Sequence, residues 1–404
     1  MPGPQIGFLQ ECLRWWDHWL KGHDTGIMQE PLLRAWLQES VPPRTDYAVR
    51  PGRWVAEGSW PVRGIELKVY QLSVSSKQLS VISEQSVAAT DNCSLITDNL
   101  KIPSIQTHGL YAGVWCPFGQ AGDLASDQRI EDGLAACFIT APLTERQEIL
   151  GFPTVTLTLS ADKPNALVAV RLCDVAPDGA STLVSWGLLN LTHRESHEHP
   201  TPLTPGERYT VTVQLNAIGY ALPVGHCWRV ALSPTYWPHA WPSPEAVTLT
   251  LFSGQLSLPV RAPRPAEDAQ ITFLPAEAAP VMAVETLRTD QRARTIQHDL
   301  LTGACQLNDY SDEGIRRLLP DGLEYETISN DTYTIVEGDP LTATVRCERN
   351  IQVKRGEWRT RVETISTMSA DAEKFYVTNA LVAYEGDTQI FTKEWTFSAP
   401  RDLV

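Results

Sequence analysis

The chain has 404 residues, 43% of them hydrophobic and 20% charged, with a formal net charge of −15. That length holds two or three domains around a sizeable core, and the composition is that of an ordinary globular protein. The negative charge argues against a nucleic-acid partner, which needs clustered Lys and Arg, and against adhesion to an anionic membrane surface. The first residues lack the basic and apolar regions of a signal peptide, and no apolar window reaches membrane-spanning length. A cytoplasmic location is therefore expected. Eight cysteines, at positions 12, 93, 116, 137, 173, 227, 305 and 347, include no pair at CxxC spacing. Reduced structural thiols are expected, with no metal and no cofactor.

In chain order, residues 5–21 come first. Phe8, Leu9, Cys12, Leu13, Trp15, Trp16, Trp19 and Leu20 follow helical spacing, and Gly22 is a helix stop. These residues fill more than one stripe, so the pattern predicts neighbours on most of the helix surface. A Pro- and Trp-rich segment runs on to Pro61. From about 62 to 262 the period becomes two. "TVTLTLS" (154–160), "YTVTVQL" (209–215) and "VTLTLF" (247–252) alternate apolar with polar residues, as half-buried antiparallel strands do. "APDGAS" (176–181) and "TPGE" (204–207) supply turns, and many short strands without interleaved helices predict a sandwich or jelly roll. Within it, "QLSVSSKQLSVISEQS" (71–86) repeats QLSV seven residues apart. This stretch and its continuation to about 105 predict an exposed insertion. The segment 263–284 is Pro-, Ala- and Glu-rich and reads as a linker. From 285 to 404, "TATVRCE", "WRTRVETIS", "FYVTNALVAY" and "IFTKEWTF" predict a second antiparallel β domain built as a meander.

Chemistry is hard to find in these residues. A nucleophile elbow is written G-x-S-x-G, and neither "AEGSW" (56–60) nor "LFSGQ" (251–255) has that spacing. No phosphate loop or dinucleotide fingerprint occurs. "HRESHEHP" (193–200) gathers three histidines and two glutamates, but it does not match HExxH, and its Pro-rich flanks oppose a helix; a hydrophilic loop is the expected reading. "SPTYWPHAWPSPE" (233–245) holds Trp237 and Trp241 in a Pro-stiffened loop, where they would either stack on a sugar ring or seal a domain interface. Apolar flanking strands favour the interface.

Five stretches together carry a resemblance. They are residues 2–36, "GVWCPFG" (113–119), "DQRIEDGLAACF" (127–138), "LCDVAPDGASTLVSWGLLNLTHR" (172–194) and "YWPHAWPSPEAVTLTL" (236–251). They resemble the CocE/NonD hydrolases, a group related to X-Pro dipeptidyl-peptidases and cocaine esterase. The resemblance implies that residues 1–40 correspond to the last helix and connection of an α/β-hydrolase domain. It implies that 41–262 form a galactose-binding-like jelly roll with an insertion near 71–105, and that 285–404 form a β-rich extension. The family's Ser-Asp-His triad would fall before residue 1, so no catalytic residue is assigned here. The chain alone is expected to be inactive as a hydrolase of esters or proline-adjacent amides. Trp15, Trp16, Trp19, Trp115, Trp237 and Trp241 become candidate domain-interface or substrate-facing residues. The expected partner is a separately encoded α/β-hydrolase half, or a second copy bound through exposed apolar surface. The alternative is a stand-alone carbohydrate-binding or interaction module.

Overall fold

The computed structural model describes residues 4–73, 77–81, 99–269 and 271–404. Helix α1 (Phe8–Lys21) ends where the sequence predicts. Gly22 takes the left-handed φ of 69° and donates its N–H to His18 O, as a glycine C-cap does. Its packing differs from expectation. None of its residues is buried, and its large apolar side chains face out.

Fourteen strands form the first sheet. The chain enters it with β1 (Leu33–Glu39) and β2 (Gly52–Glu57), then β3 (Glu66–Ser73), β4 (Gln78–Val81) and β5 (Leu100–Pro103). A one-turn helix α2 (Arg129–Gly133) precedes β6 (Ala136–Thr140), β7 (Gln147–Gly151) and β8 (Thr154–Ala161). β9 (Leu167–Val175), β10 (Ser181–Asn190), β11 (Tyr209–Gln214), β12 (Ile218–Leu222), β13 (Cys227–Ser233) and β14 (Thr248–Val260) complete it. Hydrogen-bonded order is β10-β9-β13-β6-β4-β3-β14-β7-β12-β1-β2, with β5 and β8 also on β14 and β11 on β8. Pairing is antiparallel except for β1 with β12 and β4 with β6. Strands far apart in this order share one core: Leu157 of β8, Val170 of β9, Val230 of β13 and Leu256 of β14 lie in a single apolar cluster. The sheet therefore folds over on itself and buries one face within. β9 is buried at every residue, as a central strand covered on both faces must be.

The expected exposed insertion at 71–105 is corrected over its described residues. The two QLSV repeats are the arms of a hairpin, with Leu72 opposite Leu79 and both side chains in the core. Serine at alternate positions faces away, so the segment reads as polar while one side of it is apolar. β5 then pairs with β14 and buries Ile102. Residues 82–98 lie outside the described residues.

The segment 263–284 also differs from a free spacer at its start. A short helix α3 (Pro265–Asp268) is held on the first sheet by Arg261, which is 1% exposed. Its Nε lies 2.6 Å from Glu57 and its Nη2 2.7 Å from Asp268. Phe273 then packs on Trp54 with ring centroids 4.6 Å apart, beneath the Arg34 guanidinium.

The second sheet is an antiparallel meander. β15 (Val284–Arg288) and β16 (Gln291–His298) both pair with β17 (Ala304–Leu318). β18 (Glu324–Val336), β19 (Asp339–Arg355), β20 (Trp358–Ala370), β21 (Lys374–Glu385) and β22 (Thr388–Pro400) follow in neighbour order. Gly356 and Gly386 each open a two-residue turn at φ 59°, a conformation that a side chain would strain. The two sheets meet around Trp237 and Leu110 of the first unit and Cys305, Leu307, Ile335 and Ala343 of the second. Polar contacts extend the seam. Gln106 and Thr107 donate backbone N–H groups to Glu337, and Asn190 and Thr192 donate side-chain bonds to Leu403 O.

Candidate functional site

The N-terminal helix is the first candidate. Its polar side is seated: Glu11 bonds Arg14 at 2.9 Å and Arg34 at 2.8 Å, and Glu30 bonds both arginines. These partners hold the Glu11 carboxyl below its usual range, working against the upward push of burial. The start of α1 is tied to the linker, with Gly7 N–H donating to Leu274 O at 2.8 Å and Gln10 Nε2 to Pro275 O at 2.9 Å. The opposite side is bare. Trp15, Trp16 and Trp19 are 43%, 54% and 55% exposed, and Phe8, Leu9, Leu13 and Leu20 are more exposed still. The helix is thus anchored by ions on one side and presents a contiguous apolar face on the other.

The other candidate tryptophans separate. Trp115 is exposed, on the loop that also exposes Phe118. Trp237 is 2% exposed and lies edge-on to Trp241 and to Tyr333 of β18, while Trp241 also meets Phe375 of β21. The second sheet covers Trp237, so it offers no platform for a sugar. The structure thus does not bring the six tryptophans into one site.

A charged cluster under the seam carries the strongest electrostatics. Glu131 of α2 is fully buried and accepts the N–H of Gly109 at 2.7 Å and of Tyr111 at 2.8 Å. Asp132, beside it, pairs with Arg171 at 3.0 Å and Arg229 at 2.6 Å. Arg171 also donates to Gln128, whose amide donates to Tyr111 O and Ser126 O. These residues pin the loop from 105 to 128, which includes the exposed Trp115. His108 donates Nδ1–H to Thr235 O at 2.8 Å, and burial beside Arg171 lowers its pKa to about 3. Burial raises the Glu131 carboxyl. His239 is lowered to about 4, by burial and then by the nearby Arg294. Burial pushes the Cys137 and Cys173 thiols up to about 11 and about 12, which keeps them protonated and inert. Periodicity and motif spacing do not single out Glu131 or His108. The signal available was the "RIED" turn inside an otherwise β pattern.

At the seam a cavity of about 520 Å³ is lined by Leu110, Tyr111, Ile296 and Leu307 with Arg292 and Arg294. Both guanidinium groups are already paired, with Asp123 and Asp309. Elsewhere, Asp174 accepts from Ser40 Oγ at 2.5 Å, Tyr220 OH at 2.7 Å and His226 Nδ1 at 2.6 Å. Ser40 donates to the aspartate rather than to the imidazole, so the nucleophile-to-base link of a serine hydrolase is not made. In the histidine-rich loop, His193 and His197 bring their Nδ1 atoms within 3.2 Å on an exposed surface. No group of three or more His, Cys, Asp or Glu among the described residues is placed to hold a metal. No helix among them is long and apolar enough to cross a membrane.

The chain is mostly β, in two sheets, with a seated helix presenting tryptophans. Residues 25–284 match the X-Pro dipeptidyl-peptidase C-terminal non-catalytic domain, and the chain belongs to that family. It is similar to a protein named as a serine esterase in Mycobacterium bovis, 25% identical over 248 residues, covering 57% of this chain and 36% of the relative. It is also similar to one named as an Xaa-Pro dipeptidyl-peptidase in Streptomyces avermitilis, 23% identical over 279 residues, covering 59% and 37%. Among solved structures, a CocE/NonD family hydrolase from Staphylococcus aureus matches with a TM-score of 0.45 at 13% identity, covering 63% of this chain and 46% of that one. The chain spans little more than a third of the length of these curated relatives.

Proposed function

We propose that this chain acts as the C-terminal, non-catalytic part of a CocE/NonD-type serine hydrolase, and that the apolar face of α1 docks an α/β-hydrolase domain. In this reading the first sheet is a galactose-binding-like jelly roll and the assembly works in the cytoplasm. The chemistry it supports is acyl transfer to water through an acyl-serine, on an ester or a proline-adjacent amide. The observation that carries the reading is the orientation of α1. Ion pairs fix its polar side while Trp15, Trp16 and Trp19 stand free. The relatives' greater length supplies the chain that such a face requires.

Two measurements test it. The purified chain should not turn over p-nitrophenyl esters; turnover blocked by a serine-directed phosphonate would overturn the reading. A Trp15→Ser, Trp16→Ser double variant should unfold in urea within about 0.5 kcal/mol of the parent, because exposed side chains contribute little to the fold. A loss of several kcal/mol would show that the face is packed within this chain and is no docking surface.

A further inference from the structure

The second sheet ends in an unguarded edge. β22 pairs with β21 from Thr388 to Pro400 with one register shift, at Ile390, and among the described residues no strand pairs with its other side. It has thirteen residues, twelve of them exposed. Natural edge strands are short, bulged, or interrupted by charge and proline, because a free row of N–H and C=O groups templates further pairing. β22 is bulged at one point only, at Ile390 near its start; it has only Lys393 and Glu394 as charges, and its one proline is its last residue.

The side chains are ordered by face. Successive residues of a strand point to opposite sides, so Phe391, Lys393, Trp395 and Phe397 share one face. Thr392, Glu394 and Thr396 share the other, beyond the bulge at Ile390. Phe391, Trp395 and Phe397 are 48%, 42% and 57% exposed, and Lys393 Nζ sits 5.0 Å from the Trp395 ring centroid.

We infer that β22 is a homodimer edge that pairs antiparallel with β22 of a second copy about a two-fold axis through Glu394. Such an axis, perpendicular to the sheet, keeps each face continuous across the junction. Glu394 is the middle residue, so the regular stretch from Phe391 to Phe397 is used in full. Phe391 then lies opposite the partner's Phe397, Lys393 opposite the partner's Trp395, and Thr392 opposite the partner's Thr396. Aromatic pairs, cation–π contacts and threonine pairs are those that stabilise neighbouring strands. Centring on Lys393 instead would set lysine against lysine. Centring on Trp395 would lose the phenylalanine pairs. The occupant is a copy of the same strand because this strand complements itself. The cost is one like-charge contact, Glu394 against its own copy.

The test is sedimentation equilibrium of the full chain over a range of concentrations, with circular dichroism confirming that each variant is folded. A reversible dimer is expected. Phe391→Glu and Phe397→Lys should each weaken it about tenfold, since each removes two symmetry-related aromatic pairs. Combining the two substitutions in one chain should restore association, because a carboxylate on each copy then faces an ammonium on the other across the axis. Glu394→Gln should tighten the dimer, most at low salt. A monomer at every concentration would overturn the inference. So would a double variant weaker than either single one, or association lost in Trp16→Glu but kept in Phe391→Glu. The last result would place self-association on α1.

Discussion

Acidification from pH 7 to pH 5 is expected to weaken this fold through His108 and His239, by about 2 kcal/mol for each histidine. Both are lowered from an ordinary 6.5, to about 3 and about 4, because burial disfavours the imidazolium and Arg171 and Arg294 stand close by. The unfolded chain therefore takes up protons first. Stability is fully present above pH 6.5 and falls as pH drops from there toward the folded-state values. Glu131, whose Oε2 lies 3.4 Å from His108 Nε2, works in the opposite sense. Its folded pKa is raised, so the folded form holds its proton more tightly and gains stability as pH falls, offsetting part of the loss. A His108→Gln, His239→Gln double variant separates the contributions. Urea unfolding at the two pH values should show the parent losing about 4 kcal/mol more than the variant. Equal losses would mean that neither ring is held neutral in the fold. Both rings sit at or near the join of the two sheets, so this acid sensitivity belongs to their interface.

Arg261→Met is expected to cost about 3–5 kcal/mol, the usual penalty for leaving buried charges without their partner. Arg261 lies between Glu57 and Asp268, with Glu148 3.8 Å away, and all three carboxylates are nearly inaccessible. Arg264 still reaches Glu57, and Arg53 and Arg146 still reach Glu148, but Asp268 keeps only Arg53 at 3.8 Å. Asp268 Oδ1 also accepts the N–H of Ala56, so α3 and β2 loosen together. Limited proteolysis should find a new cut within 263–284, and urea unfolding should report the lost stability. Adding Glu57→Gln and Asp268→Asn should recover most of it, since neutral groups carry no uncompensated charge. A variant as stable and as protease-resistant as the parent would show that α3 is held by apolar contact alone. Because Leu274 and Pro275 tether the start of α1, this hub also sets how the helix is presented.

Regular periodicity made parts of this architecture readable. The end of α1 at Lys21 follows from a 3.6-residue apolar pattern stopped by Gly22. β8 and β11 follow from threonine alternating with valine and leucine, and they pair in register with Thr156 facing Thr212. The hairpin at 71–81 was hidden because serine fills its outward positions, so two buried leucines look like exceptions in a polar run. Glu131 was hidden for a different reason. A buried carboxylate is recognised by the N–H groups that it accepts, and Gly109 and Tyr111 are some twenty residues away.

By itself, the sequence determined local backbone form: a Trp-rich helix, a set of alternating strands whose residues share faces, and a terminal meander. Only the tertiary structure decided which faces meet. It turned the Glu11 side of α1 inward and left its tryptophans bare, and it buried Trp237 beneath a sheet that begins almost fifty residues later. The physical reason is range. Helix and strand periods are set by neighbours within a few residues, whereas Arg261 finds Glu57 204 positions away, in a match that only folding brings about.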